Sequence, residues 1–92
     1  MIHFLVHGAE DNVAVAVMDV SMGDTGHVMN METGKKYEIS ALTDIPLGHK
    51  VALSDFKTDD TIIKYDHDIG RVVQPIKKGE HVHVHNVKTK RW

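Results

Sequence analysis

Cysteine is absent from this sequence of 92 residues, and its absence excludes two kinds of structure. No disulfide can form, and no thiolate can bind a metal ion, so any metal site must use His, Asp or Glu. Aromatic residues are also scarce, at 5% of the chain, so the core must consist of Val, Ile, Leu, Met and Ala. This composition suits a compact β module that packs onto something larger.

Long apolar runs and a strong excess of one charge are missing as well. No stretch approaches the roughly 20 apolar residues of a membrane helix, and the opening MIHFLVHGAEDN becomes polar too early for a signal peptide. A net charge of −2 gives the surface as a whole no attraction for nucleic acid. We therefore expect a cytoplasmic protein that binds neither membranes nor nucleic acid, with residues 1–92 forming one domain.

The apolar residues alternate with a period of two, and no segment of ten residues shows a convincing helical period. Asn12–Val20 alternates valine with small residues, which is typical of a strand buried on both faces. The pair Thr33-Gly34 predicts a hairpin turn between the two strands that flank it. The fold class predicted from the sequence is therefore all-β, a small domain of many short strands.

Tight turns with a glycine recur three times along the chain. They are VSMGDT from Val20, IPLGHKV from Ile45 and IKKGEHV from Ile76, which share the form apolar-x-x-Gly-polar. Each is predicted to be a turn whose glycine takes positive φ before a new strand begins. Their unequal spacing indicates reused turn chemistry and not a solenoid.

Histidine is abundant, with eight residues, and three of them lie close together near the end. A strand here would place His81, His83 and His85 on one face, with Val82 and Val84 pointing into the core. Imidazoles spaced in this way can bind one metal ion, and a neutral imidazole can act as a general base. The alternative is an exposed edge strand whose histidines have no function beyond solubility.

A second candidate site follows the glycine turn in PLGHKVAL, where His49 and Lys50 are adjacent. An imidazole and an ammonium group at one turn can bind a carboxylate. A solvated turn without a ligand is the more common role of such a pair.

Four stretches of the sequence, in this order, resemble one known module: DNVAVAV, DIPLGHKVAL, TIIKYDHDIG and IKKGEHVHVHNVKTKRW. They are similar to the SAF-type N-terminal domain of the altronate/galactarate dehydratase family. The resemblance covers nearly the whole chain and is weakest across Met18–Glu38. It implies a β-clip, a pinched arrangement of short strands with tight turns, in agreement with the pattern of strands and glycines.

The chain departs from the family's pattern at one position. The family usually has glycine after IKY, where this chain has Asp66. Because glycine tolerates unusual φ values, we expect the local turn, and the part this segment plays in a site, to differ.

In the longer family members a large catalytic domain follows this module, whereas here the chain stops after the motif. That resembles a split arrangement, in which a small subunit is inactive without a large catalytic subunit of the same family. The resemblance implies a lyase that acts on a small anionic 2-hydroxy acid by β-elimination. A base removes the proton next to the carboxylate, and a group on the adjacent carbon leaves.

The ending GEHVHVHN favours one substrate within that reaction class. It is most similar to members that act on (2R)-3-sulfolactate, which yields pyruvate and sulfite. Two alternatives stay open. One is a small subunit of an altronate- or galactarate-type sugar acid dehydratase, and the other is a non-catalytic module that binds an anion or a peptide.

The resemblance also implies catalytic and metal-binding residues. His83 and His85 are expected to face a cleft completed by the large subunit, with His81 outside the core of the matching motif. There they would bind a divalent metal, Fe(II) or Mn(II), or transfer protons. The metal would act as a Lewis acid on the carboxylate and hydroxyl of the substrate.

Substrate binding is expected from three further residues. His49 and Lys50 would neutralise a carboxylate or sulfonate, and Asn86 would hydrogen-bond the substrate. A chain this small is not expected to enclose a substrate alone, because such pockets measure roughly 300–1,000 Å³.

Overall fold

A computed structural model of the protein describes residues 1–89, so the end of the last motif, residues 90–92, lies outside the described part. Within residues 1–89 the chain forms strands and turns only, which confirms the all-β prediction. No helix that could cross a membrane is found in this range. The strands are β1 Phe4–Val6, β2 Val13–Ala16, β3 Thr25–Asn30, β4 Lys36–Ser40, β5 Lys50–Ala52, β6 Thr61–Lys64, β7 His67–Val72, β8 His81–Val82 and β9 Val87–Lys88.

The strands form two sheets. Six of them have the order β4-β3-β1-β2-β5-β8, and the other three have the order β6-β7-β9. β1 runs parallel to β3, and the other neighbouring strands are antiparallel. This order places β5, from the middle of the sequence, beside β8, from its end.

The core consists mainly of aliphatic side chains, as the scarcity of aromatic residues requires, together with Phe4 and Phe56. One cluster lies around Phe4 and Val28, and a second lies around Ile62 and Val72. β5 contributes to both clusters, with Val51 in the first and Ala52 in the second. Because both of these residues are fully buried, the position of β5 is fixed on two sides by packing.

The three predicted glycine turns are confirmed, and a fourth turn of the same kind accompanies them. Gly23, Gly48 and Gly79 have φ values of 92°, 83° and 92°. In the fourth turn Asp59 takes φ 78° in place of a glycine. The sequence pattern missed it because the pattern required glycine, whereas aspartate also tolerates this conformation.

The apolar residues that precede these turns pair with one another across the domain. Val20 forms an isolated antiparallel bridge with Ile45, and Phe56 forms one with Ile76. All four side chains are buried. The turns are therefore held in two pairs, and each pair fixes where the following strands begin.

The turn between β6 and β7 contains Asp66, where the family resemblance led us to expect glycine. Tyr65 and Asp66 have φ values of 53° and 59°, the left-handed conformation that two-residue hairpin turns require. The Asp11 carboxylate accepts the N–H groups of Tyr65 and Asp66 at 2.9 and 2.7 Å. The Asp66 carboxylate accepts the N–H of Glu10 at 2.8 Å. Asp66 thus adopts a glycine-like backbone conformation that several hydrogen bonds stabilise.

The histidine-rich segment is not the continuous strand that its alternation predicted. β8 ends at Val82, and residues 83–86 form a turn in which the N–H of Val87 donates to the carbonyl oxygen of His83 at 3.0 Å. Val82 is 1% exposed, as predicted, but Val84 is 78% exposed, so the prediction that Val84 faces the core is wrong. The alternating pattern of histidine and valine continues in the sequence beyond Val82, but residues 83–86 are not part of a strand.

We expect Val82→Asp to unfold the domain and Val84→Asp to leave it folded. The first change buries an unpaired carboxylate, at a cost of several kcal/mol or about the whole stability of a small domain. The second carboxylate would stay in water. Circular dichroism and thermal denaturation of the two variants measure the difference, and an unfolded Val84→Asp protein would contradict the exposed turn.

Candidate functional site

The pairing of β5 with β8 brings the candidate residues together. Lys50 lies opposite Val82, and Val51 lies opposite His81. His49 directly precedes β5, and its ring reaches His81 although 32 residues separate the two along the chain. Two segments that were separate candidates in the sequence therefore form one site.

His49, His81 and His83 form what we call the histidine cluster. Nδ1 of His49 lies 2.7 Å from Nε2 of His81. The ring of His83 stacks on that of His49 with centroids 4.4 Å apart, and lies 5.4 Å from that of His81. One nitrogen from each of the three rings lies within 4.8 Å of the other two, and all three side chains are partly exposed. The arrangement fits a single metal ion reached from solvent.

The short contact between His49 and His81 requires one donor and one acceptor nitrogen. Burial, followed by the positive charges of His49 and its other neighbours, lowers the pKa of His81 to about 4. Burial, followed by the charges of His49 and Lys50, also lowers the pKa of His83. Both rings are therefore neutral at pH 7, the form that binds metal or accepts a proton.

His85 lies at the margin of the histidine cluster. Its ring centroid is 5.3 Å from that of His81, but its side chain is exposed and is not part of the group whose nitrogens lie within 4.8 Å. Nε2 of Gln74 donates to the backbone oxygen of His85 at 2.9 Å. This contact anchors the backbone while the imidazole faces outward.

Asn86 is 6% exposed and shapes the turn that carries the histidines. Its Oδ1 accepts the N–H of His83 at 3.0 Å, and its Nδ2 donates to the backbone oxygen of His81 at 2.8 Å. Such side-chain hydrogen bonds to nearby backbone are why asparagine is favoured in turns. The substrate contact predicted for Asn86 would compete with these two bonds.

Lys50 and His83 border a small pocket of about 170 Å³ next to the histidine cluster. Burial, and then the charge of Lys64, lower the pKa of Lys50. The remaining residues of this pocket are Ile62, Ile69, Val82, Val84, Val87 and Thr89. A second hollow of about 290 Å³ is bordered by His81 and His85.

Sequence reasoning did not anticipate the contact between His49 and His81, and it ranked His81 below its neighbours. No local pattern connects residues so far apart. The signal that was available is the shared turn motif, because Gly48 and Gly79 each precede one of the two strands that pair. The structure thus brings His49 and Lys50 to the histidines, as the predicted site requires, through a pairing that the sequence pattern left open.

One family description and several curated relatives match the chain. Residues 2–90 match the altronate/galactarate dehydratase SAF domain. The chain is 53% identical to "(2R)-sulfolactate sulfo-lyase subunit alpha" of Chromohalobacter salexigens, covering 99% of this chain and 98% of that protein. It is 55% identical to the protein of the same name from Paracoccus pantotrophus, over 61% of this chain and 84% of that protein. Altronate dehydratase of Bacillus subtilis is 41% identical over 87% of this chain, which corresponds to 15% of that protein.

We expect His81 to titrate with a pKa of about 4 in the folded protein. An unfolded chain binds this proton near pH 6.5, so it binds more protons than the folded chain between pH 6.5 and 4. The domain should therefore lose stability as the pH falls through that window. Histidine-ring NMR in the presence of a chelator measures the pKa directly.

A matched measurement is denaturant unfolding of the wild type and His81→Gln at pH 7 and pH 5. The variant should lose less stability between these two values. Titration of the His81 ring near pH 6.5, or an unchanged pH dependence in the variant, would contradict the partly buried, hydrogen-bonded imidazole.

Proposed function

Because the chain belongs to the family of altronate/galactarate dehydratase SAF domains, we propose that it acts as the small subunit of a lyase. The observation that carries this proposal is the 53% identity that extends over 98% of a sulfolactate sulfo-lyase alpha subunit. The name of that relative implies that it works with another subunit. The proposed partner of this chain is accordingly a large catalytic subunit of the same family.

The proposed reaction is β-elimination from (2R)-sulfolactate. A base takes the proton from the carbon that carries the hydroxyl and carboxylate groups. The carbon–sulfur bond then breaks, and its electron pair leaves with sulfite. The remaining enol loses its hydroxyl proton and takes up a proton on the terminal carbon, which gives pyruvate. The proton taken by the base balances the charge of the released sulfite.

His83 and Lys50 border the same pocket. Burial lowers the pKa of His83, so its ring is neutral at pH 7 and can bind a metal ion next to the substrate. The half-buried ammonium of Lys50 would attract the carboxylate or sulfonate, since a charge interaction strengthens as water is excluded. His85 faces outward, where it can meet a substrate or the partner subunit.

The divalent metal that the family resemblance implies would supply Lewis-acid stabilisation of the negative charge that develops next to the carboxylate. The histidine cluster offers a donor set that fits such an ion, with three imidazole nitrogens close together. With these three imidazoles bound to the ion, Lys50 would orient the substrate, and His85 would be the imidazole beside the cluster that is left to transfer the proton.

Exposure of the site supports the need for a second subunit. The two hollows beside the histidine cluster measure about 170 and 290 Å³, and Val84 on the connecting turn is 78% exposed. Elimination that begins at a weakly acidic carbon needs a site from which water is excluded. We propose that the large subunit covers this turn and completes the chamber.

A sugar acid dehydratase is the second candidate. Altronate dehydratases of Bacillus subtilis and Escherichia coli are 41% and 38% identical to this chain over most of its length. The same groups would act, with water as the leaving group in place of sulfite. Altronate is therefore the competing substrate in any assay.

Reconstituted with its large subunit, the chain is expected to release sulfite and pyruvate from (2R)-sulfolactate, and His83→Ala should lower kcat/KM by about 10²- to 10⁴-fold. His83 would be a ligand of the metal, whose Lewis-acid stabilisation is worth several kcal/mol, or about this range. The matched control is His27→Ala, which removes an exposed imidazole on β3 and should change the rate less than twofold.

Co-purification with the large subunit must be equal for the wild type and both variants. Sulfite release by His83→Ala within a few-fold of the wild type would refute the role of His83. Dehydration of altronate with no sulfite from sulfolactate would replace the main proposal by the second candidate.

A further inference from the structure

We propose that His49, His81 and His83 are the three protein ligands of one divalent transition-metal ion. The proposal deepens the lyase function given above, because it names where this chain would hold the Lewis acid. It also replaces the pair His83 and His85, predicted from the sequence, by a set that adds His81 on β8 and His49 directly before β5.

The distances in the histidine cluster are close to those of a ligand set. Metal–nitrogen bonds of about 2.1 Å place neighbouring ligand nitrogens roughly 3.0–3.4 Å apart. Nδ1 of His49 and Nε2 of His81 are 2.7 Å apart, so a few tenths of an ångström of ring movement would exchange their hydrogen bond for two metal bonds. One nitrogen of the His83 ring lies within 4.8 Å of a nitrogen of each of the other two rings, and ring rotation would bring it closer.

The backbone under these rings is already held in place. The N–H of His81 donates to Oγ1 of Thr43 at 2.9 Å, and the N–H of His83 donates to Oδ1 of Asn86 at 3.0 Å. His49 directly precedes β5, the strand that pairs with β8. Such preorganisation means that binding an ion requires side-chain rotation and no rearrangement of the fold.

The donor atoms favour Fe(II) over Mn(II), the two ions that the family resemblance implies. The three ligands are imidazole nitrogens, and the chain has no cysteine. Imidazole suits zinc, copper, iron and nickel, whereas manganese prefers oxygen ligands. Three protein ligands also leave positions open for the hydroxyl and carboxylate oxygens of a substrate.

Lys50 is expected to weaken the site. It borders the same pocket as His83, and its ammonium would repel a cation bound there. Binding in the absence of substrate is therefore expected to be weaker than in a three-histidine site without a neighbouring ammonium. An anionic substrate that pairs with Lys50 would remove this repulsion and tighten metal binding.

The test is a titration of the full chain, with any purification tag removed and metals stripped by a chelator. Zn(II) serves as the air-stable probe in calorimetry at pH 7.5, without substrate or large subunit. One ion per chain is expected. Substitution of any cluster residue by glutamine (His49→Gln, His81→Gln or His83→Gln) should weaken binding at least tenfold while circular dichroism stays unchanged.

Two controls separate this ligand set from its competitors. His85→Gln and His27→Gln should each bind Zn(II) within about threefold of the wild type. Equal losses in His83→Gln and His85→Gln, with His49→Gln unaffected, would overturn the set in favour of the pair predicted from sequence. No uptake up to millimolar Zn(II) would overturn the site altogether, and Mn(II) binding as tight as that of anaerobic Fe(II) would overturn the choice of metal.

The outcome is independent of the lyase assay. A chain that binds the ion while the assembled protein releases no sulfite would support the metal site and refute the proposed function. Sulfite release by an assembly whose small subunit binds no metal would refute the site and support the function.

Discussion

The pairing of β5 with β8 is the interaction on which the rest of the site depends. Only two residue pairs form it, Lys50 with Val82 and Val51 with His81. Val51 and Val82 are both at most 1% exposed, so hydrophobic burial holds this short ladder together. Because these two strands lie side by side, His49 contacts His81 and the pocket forms beside Lys50.

The turns explain how so short a pairing can be specific. Each of the two strands begins just after a turn with a left-handed glycine, Gly48 or Gly79, and buried bridges hold those turns to others in the domain. The turns and the buried residues thus determine the register of the two strands, without a contribution from the histidines. The imidazoles can then remain partly exposed and neutral without being needed for the stability of the core.

Much of the fold was predictable from the sequence, because alternation and turn glycines are local signals. The all-β class, the Gly23, Gly48 and Gly79 turns and the family all follow from such patterns. Two features were not predictable for physical reasons. Alternation cannot show that β8 ends at Val82, since strand length depends on a partner that is distant in sequence. The approach of His49 to His81 depends on that same partner, so the site was predicted in two parts and its centre was missed.

The most direct test of the central claim is whether the rings of His49 and His81 touch in solution. Nitrogen-15 NMR of the metal-free chain can detect a scalar coupling across the hydrogen bond between Nδ1 of His49 and Nε2 of His81. The account predicts that coupling, together with nuclear Overhauser contacts between the two rings. Independent imidazoles, with neither coupling nor ring contacts, would contradict it.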